Sequence, residues 1–293
     1  MIRQVDISDT ATLQKVNCLL TDTFGDGLAC DRVSTTTRTN SSFEPLYLAA
    51  YDGDDLIGFN AFISHDLIYN GTLINCYQSC WIATQRSHRR KGVFQRLVST
   101  AKEILDKKGA AFIFCFPNEN SRPILTEKFG FREVPSLKWQ VPNIPFVRDQ
   151  YLSSHDHDMD ELNQNVIFQN GRQLVDLKQR IYGDDLVVIE HDESFLWGVT
   201  RQTRKYGLDL KYFEIGGLYA ASSRDIKKLF YKLYEQMKNV NYFQLTSSEG
   251  SSYNKFFNHL RPAQTNDLIV FDLNLSTGNG TRFNFFGGVK DVF

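Results

Sequence analysis

The run Arg89-Arg90-Lys91-Gly92-Val93-Phe94 constrains this chain more than any other stretch. It follows an apolar run, Cys80-Trp81-Ile82-Ala83-Thr84, that reads as a strand. It opens a segment in which Val93, Leu97, Val98, Ala101, Ile104 and Leu105 share one helical face. A strand, a short basic turn with a glycine and a helix start together make an anion cradle. The first N–H groups of a helix have no partners within it, and the helix dipole is positive at that end. Gly92 lets backbone approach a ligand with no Cβ in the way. Arg89, Arg90 and Lys91 add positive charge at the same spot. Phosphate or pyrophosphate is the guest that such a turn fits, although a basic turn on its own is more often a solvated loop.

The residues that follow narrow the choice. A second buried-looking run comes next, Ala110-Ala111-Phe112-Ile113-Phe114-Cys115-Phe116, and then the turn Pro117-Asn118-Glu119-Asn120-Ser121. A short helical pattern through Ile124, Leu125 and Lys128 leads to Phe129-Gly130-Phe131. This order resembles the GNAT family of acyl-CoA-dependent N-acetyltransferases. The family signature is Arg/Gln-x-x-Gly-x-Gly/Ala after a strand, then a helix, a strand, an Asn-containing turn and a Gly-Phe pair. Arg89, Gly92, Asn118 or Asn120, and Gly130-Phe131 match it, and Phe94 stands where the family prefers Gly or Ala. The resemblance covers about Ile2 to Trp139. It implies an α+β fold with a mixed, mostly antiparallel sheet flanked by helices.

The resemblance also implies a site. Acetyl-CoA is the donor, its pyrophosphate held on the amides from Arg90 to Phe94, through Lys91, Gly92 and Val93, with Arg89 adding charge. The pantetheine arm runs beside the strand end at Ile82, Ala83 and Thr84, where the family's strand splays from the next. An amide near Ile82 polarises the thioester, and Asn118, Asn120 and Ser121 flank the carrier. The family's usual catalytic residues do not carry over. Gln78 stands where some members place a Glu base, and Thr126 where many place a Tyr acid. Tyr77 and His65 are the remaining catalytic candidates, with Glu119 and His88 also in reach. His65 has Asp66 beside it as a possible orienting group, against a plain reading as a strand-end histidine. Tyr77 has a plain reading as a core aromatic. Cys80 as a nucleophile is disfavoured, because an apolar buried thiol is usually inert.

Bulk properties exclude several classes. Of 293 residues, 42% are hydrophobic and 23% charged, as in ordinary globular proteins. A net charge of −1 gives no global field to recruit nucleic acid or membrane. Five cysteines, Cys18, Cys30, Cys76, Cys80 and Cys115, suit free thiols in a reducing compartment better than a disulfide framework. The N-terminus has no apolar signal core, and no apolar run reaches eighteen residues. The expectation is a cytoplasmic protein with no metal. The sequence does not give the oligomeric state.

In chain order, residues 10–23 read as a helix after Asp9. The segment 25–42 reads as a polar loop. Strands Leu46–Tyr51, Leu56–Ser64 and Leu73–Thr84 are joined by turns at Asp52-Gly53 and Asn70-Gly71. Pro142 and Pro145 mark a linker near 140–150, dividing a GNAT donor-binding domain, 1–140, from a second α/β domain, 150–293. His155-Asp156-His157-Asp158 reads as a solvated connection, since nothing supplies the fixed geometry and supporting shell of a metal site. Beyond it, Leu174 to Tyr182 suggests a helix ended by Gly183, and Leu186–Ile189 a strand. Ser194–Arg204 suggests a helix. Strands flank Gly216-Gly217. A capping box, Ser222 to Asp225, opens an amphipathic helix through Ile226, Leu229, Phe230, Leu233 and Met237. Tyr242–Thr246 and Leu268–Leu273 read as strands, with a short helix over Ser251–Leu260. The order echoes the first half without its Arg-x-x-Gly turn. Identity between the halves is too low to establish a repeat.

Three functions fit this reading. The first is an acetyl-CoA-dependent N-acetyltransferase with a small-molecule amine as acceptor. The Phe116-Pro117-Asn118-Glu119-Asn120-Ser121 run resembles that of two-lobed bacterial GNAT enzymes of amino-sugar or surface-polysaccharide pathways. The second is a non-catalytic acyl-CoA sensor, which the missing Glu and Tyr favour. The third is an aminoacyl transferase using charged tRNA, which the basic turn and the net charge of −1 disfavour.

Overall fold

Tight hairpins build the first half of the sheet. Strand β3 (Asp55–Tyr69) turns into β4 (Thr72–Thr84) through Asn70 and Gly71, with φ values of 49° and 74°. Two positive values in a two-residue loop match the twist of paired strands. Strand β2 (Leu46–Asp52) enters β3 through Gly53, also at positive φ. Strand β1 (Ile2–Gln4) pairs with β2, and helix α1 (Thr10–Phe24) starts where the Asp9 carboxylate accepts the Thr12 N–H at 2.9 Å. A computed structural model describes residues 1–25, 33, 41–144, 152, 166–169, 171–205, 207–257, 260–275 and 282–286. The loop over 25–42 and the His155–Asp158 run lie largely or wholly outside them.

Helix α2 (Val93–Lys107) connects β4 to β5 (Phe112–Cys115), and β6 (Arg132–Pro142) follows. The second half supplies β7 (Val166–Gln169), α3 (Gly171–Tyr182), β8 (Leu186–His191), β9 (Ser194–Lys205) and β10 (Leu208–Tyr219). It continues with α4 (Ser223–Gln236), β11 (Tyr242–Ser248), β12 (Ala263–Asp272) and β13 (Arg282–Asn284). Among the described residues all strands join one mixed, mostly antiparallel sheet ordered β1-β2-β3-β4-β5-β12-β6-β11-β10-β9-β8, with β7 on the end of β3 and β13 on β7. The fold class expected from the sequence holds.

The halves 1–140 and 150–293 are interleaved. Strand β12 lies between β5 and β6, and β6 lies between β12 and β11. Outward from this antiparallel pair the two arms run alike. Next on each side comes an antiparallel strand, β5 or β11. A parallel partner follows, β4 or β10, and then two antiparallel strands, to which the first arm adds β1 as a third. Helix α2 makes the crossover in one arm and α4 in the other.

Two expectations for the second half fail. Residues 194–204 form strand β9 between β8 and β10, not a helix. Ser194 to Val199 are all buried, so the strand shows a continuous apolar run with no alternation to betray its period. The two strands around Gly216-Gly217 are one strand, β10, with a bulge between Ile215 and Gly217.

Helices cover both faces. On one, Val93, Leu97, Val98, Ala101 and Leu105 of α2 pack on Leu46, Leu48, Ala50, Ile57 and Phe62. On the other, Val16, Leu19 and Leu20 of α1 pack on Phe59, Ala61, Ile63 and Trp81. A third cluster joins the arms, from Cys76, Phe112 and Phe114 to Trp197 and Val199. A Cβ on Gly58 would lie 2.5 Å from Val93 Cγ1, so only glycine seats the start of α2 this closely on β3.

Candidate functional site

The basic turn is built by the backbone between β4 and α2. Gln85 donates to the Ile57 carbonyl at 3.0 Å, and a single 3₁₀ turn, Arg86–His88, follows. His88 Nε2 lies 3.3 Å from Asp52 Oδ2, which ties the turn to the β2–β3 hairpin. Arg89 Nε donates to the Thr84 carbonyl at 3.2 Å, while Arg90 takes a left-handed φ of 62°. Gly92, at φ 75°, is the N-cap of α2 and supplies no side-chain cap. Arg96 Nη1 instead donates to the Lys91 carbonyl at 3.0 Å. Arg89, Arg90, Lys91 and Arg96 are all exposed around a helix start whose first amides have no side-chain cap. This arrangement favours an anion. Phe94 is half-buried and packs against the cluster beneath α2.

The strand leading into the turn is deformed. In the β3–β4 ladder Phe59 faces Ala83 and Ala61 faces Cys80, so Asn60 stands opposite both Trp81 and Ile82. Trp81 carries the bulge at φ 54°, a rare value for a bulky residue and one that neighbouring packing must hold. On the other edge, β4 pairs with β5 at Cys76–Phe112, Tyr77–Ile113 and Gln78–Phe114. The parallel ladder therefore ends before Ile82, Ala83 and Thr84, as the resemblance implies. The sequence carried no signal for the bulge at a tryptophan.

Other candidates occupy less open places. His65 is buried, and its Nε2 lies 3.1 Å from Gln78 Oε1. Burial pushes its pKa down to about 4, against a smaller opposing effect of the Gln78 bond. Lys178, fully buried on α3, pushes in the same direction as burial. Asp66 does not orient His65. Its carboxylate accepts from Ser41 Oγ at 2.6 Å and from the Ser42 amide and hydroxyl, since adjacent strand residues point to opposite faces. The Tyr77 hydroxyl donates to the Glu44 carbonyl at 3.1 Å, and burial raises its pKa. Burial also raises the Cys80 thiol well above its ordinary range. Thr126 Oγ1 donates back to the Arg122 carbonyl within its own helical turn.

The 118–121 turn is held by itself. Asn118 Oδ1 accepts from the Asn120 amide at 3.1 Å and the Ser121 amide at 3.0 Å, capping the helical turn that follows. The Ser121 hydroxyl bonds to the same oxygen at 3.1 Å, and Asn120 is exposed.

Residues 9–134 match the family model of the acetyltransferase (GNAT) domain. This stretch is a GNAT domain. No curated protein matches the chain in sequence. Solved structures share the fold over 94% of the chain. A probable N-acyltransferase of unknown function from Enterococcus faecalis is 9% identical, with a TM-score of 0.66 and 73% of its own length covered. Eis1 from Mycobacterium abscessus is 13% identical, with a TM-score of 0.64 and 74% covered. A GCN5-related N-acetyltransferase from Kribbella flavida is 11% identical, with a TM-score of 0.63 and 71% covered. Both arms of the sheet thus belong to an architecture found among GNAT proteins.

The GNAT domain and the other arm differ at the helix start. Where α2 has Gly92, α4 has Ser222, whose Oγ accepts the Asp225 amide at 3.2 Å and donates to Asp225 Oδ2 at 2.8 Å. His191 Nε2 lies 3.7 Å from the Asp225 carboxylate. Its helix start is capped and carries a negative charge, while that of α2 is uncapped and ringed by positive charge. Trp197 covers the bulge of β10, so a Cβ on Gly216 would meet its ring at 2.1 Å. Among the described residues, no helix is long and apolar enough to cross a membrane.

Proposed function

We propose that the chain is an acyl-CoA-dependent N-acetyltransferase that moves an acetyl group from acetyl-CoA to the amine of a small molecule. The observation that carries this is the uncapped, cation-ringed start of α2 at Gly92, placed where β4 leaves its parallel partner. The amides of Arg90 to Phe94 hold the donor pyrophosphate, and Arg89 and Lys91 add charge. Arm two contributes a wall of the acceptor cleft and no second donor site, because Ser222 and Asp225 fill its helix start. Buried free thiols at Cys76, Cys80 and Cys115 suit a reducing compartment, and we assign the cytoplasm.

In the reaction the acceptor nitrogen attacks the thioester carbonyl carbon. An amide beside Ile82 stabilises the oxyanion. The C–S bond then breaks and the thiolate leaves as the nitrogen loses a proton. With a pKa of about 4, His65 is a weak base for that proton. The Tyr77 hydroxyl is engaged with Glu44. The acceptor therefore arrives as the neutral amine or loses its proton to water, and we expect turnover to rise with pH toward the amine's own pKa.

Acetyl-CoA is titrated in a thermal-shift assay, and thiol release is followed with a panel of amines and amino sugars. A shift together with turnover supports the proposal. Absence of a shift removes it, and a shift without turnover on any amine converts the protein into an acyl-CoA sensor.

A further inference from the structure

The two arms give an internal comparison. The first residue pair of the parallel ladder is Cys76–Phe112 in one arm and Tyr212–Tyr242 in the other. In the first arm both residues are fully buried, and Phe112 is capped edge-on by Phe283 at 5.7 Å. In the second arm the same face is open. Tyr212 and Tyr242 stack on each other at 5.1 Å over a cavity of about 390 Å³. The cavity runs across β9, β10, β11, β6 and the start of β12.

Its lining offers donors. Lys205 Nζ donates to Gln140 Oε1 at 3.4 Å, and Gln140 Nε2 donates to Gln244 Oε1 at 3.1 Å. This chain engages both amide oxygens, Lys205 Nζ also lies 5.7 Å from the centre of the Tyr242 ring, and the Gln244 N–H groups and the outer side of the Lys205 ammonium face a guest. Gln244 is nine-tenths buried, at 7% exposure. Lys138 and Arg261 add two further cations, and among the described residues no carboxylate lines the cavity. The neighbouring Glu214 is paired with Arg201 at 3.2 Å. A cationic wall rich in donors calls for a compact guest that is all acceptor and carries more than one negative charge. The volume suits a small molecule and not a polymer.

We propose that this cavity binds a small molecule bearing a phosphate monoester, at a site separate from the turn at Gly92. The phosphate sits among Lys138, Lys205 and Arg261, and the Gln244 amide donates to its polar remainder.

The test uses the full chain carrying Gly92→Glu, so that phosphate held at the helix start does not contribute. Inorganic phosphate, glucose 6-phosphate, citrate and a short single-stranded RNA are titrated by calorimetry at fixed ionic strength. The expected result is saturable binding of glucose 6-phosphate, tighter than inorganic phosphate. Adding Lys138→Ala, Lys205→Ala and Arg261→Ala together weakens it at least about tenfold with an unchanged circular dichroism spectrum, as loss of charge-assisted bonds requires. Lys205→Arg alone retains binding. No binding by the Gly92→Glu protein, or equal binding after the triple substitution, overturns the site. Tighter binding of citrate or of RNA overturns the ligand class.

Discussion

His65 Nε2 stands 3.1 Å from Gln78 Oε1, across the β3–β4 ladder. His65 is opposite Cys76 and Ile63 is opposite Gln78, so the two form a diagonal pair on one face. By the family resemblance, Gln78 stands where some members place a glutamate. A glutamate there would hold the imidazole charged, whereas the neutral amide leaves burial to decide.

Burial makes His65 a pH-dependent element of stability. Its folded pKa is about 4 against an ordinary 6.5, so between those values the unfolded chain binds the extra proton. Stability is therefore full above pH 6.5 and falls as pH drops toward 4. From pH 7.5 to 5 the loss from this group is about 2 kcal/mol. His65→Gln flattens that part of the pH dependence in urea melts. An unchanged slope would remove His65 as the titrating group.

Gly92→Glu abolishes the thermal shift with acetyl-CoA. A carboxylate at the helix start repels the pyrophosphate, and a side chain at φ 75° costs about 1 kcal/mol. Circular dichroism should show the fold intact. Undiminished donor affinity would refute the placement of the cradle.

Gly58→Ala acts on the same turn from beneath. The new Cβ drives Val93 away from β3 and lifts the first turn of α2. Overpacking of this kind costs about 1–3 kcal/mol. We expect a lower Tm and a raised KM for the donor, with kcat changed less. Wild-type values for both Tm and KM would show that the helix start tolerates displacement.

Cys80→Ala leaves kcat within about twofold, because a buried thiol with a raised pKa is no nucleophile. The lost sulfur costs about 1 kcal/mol. Loss of turnover in a folded variant, with a trapped acyl group on wild-type Cys80 seen by mass spectrometry, would contradict this.

Calorimetry should give one acetyl-CoA per chain. The capping pair Ser222 and Asp225 closes the equivalent helix start in the second arm. A stoichiometry of two would mean that this cap opens.

Local chemistry was legible in the sequence. Gly92, the hairpin at Asn70-Gly71, the Ser222–Asp225 cap and the apolar face of α2 all announce themselves through turn and capping rules or a clear period. Strand β9 did not, because burial on both faces erases the alternation that marks a strand. Adjacency in sequence suggests Asp66 as a possible orienting group for His65, but strand geometry turns the two side chains to opposite faces. The resemblance places the Asn118–Ser121 turn beside the carrier, and the structure adds that the Asn118 side-chain oxygen holds that turn in shape. The exchange of β6 and β12 leaves no periodic trace, since which strands become neighbours is decided by tertiary packing.

That exchange has a consequence during synthesis. As the ribosome releases the first 142 residues, β5 has no neighbour on its outer edge until residues 263–272 emerge. The amino-terminal portion must wait, with an open hydrogen-bonding edge, for nearly the whole polypeptide. Fragments cut between the halves should aggregate when expressed singly and gain solubility when the two are made in the same cell.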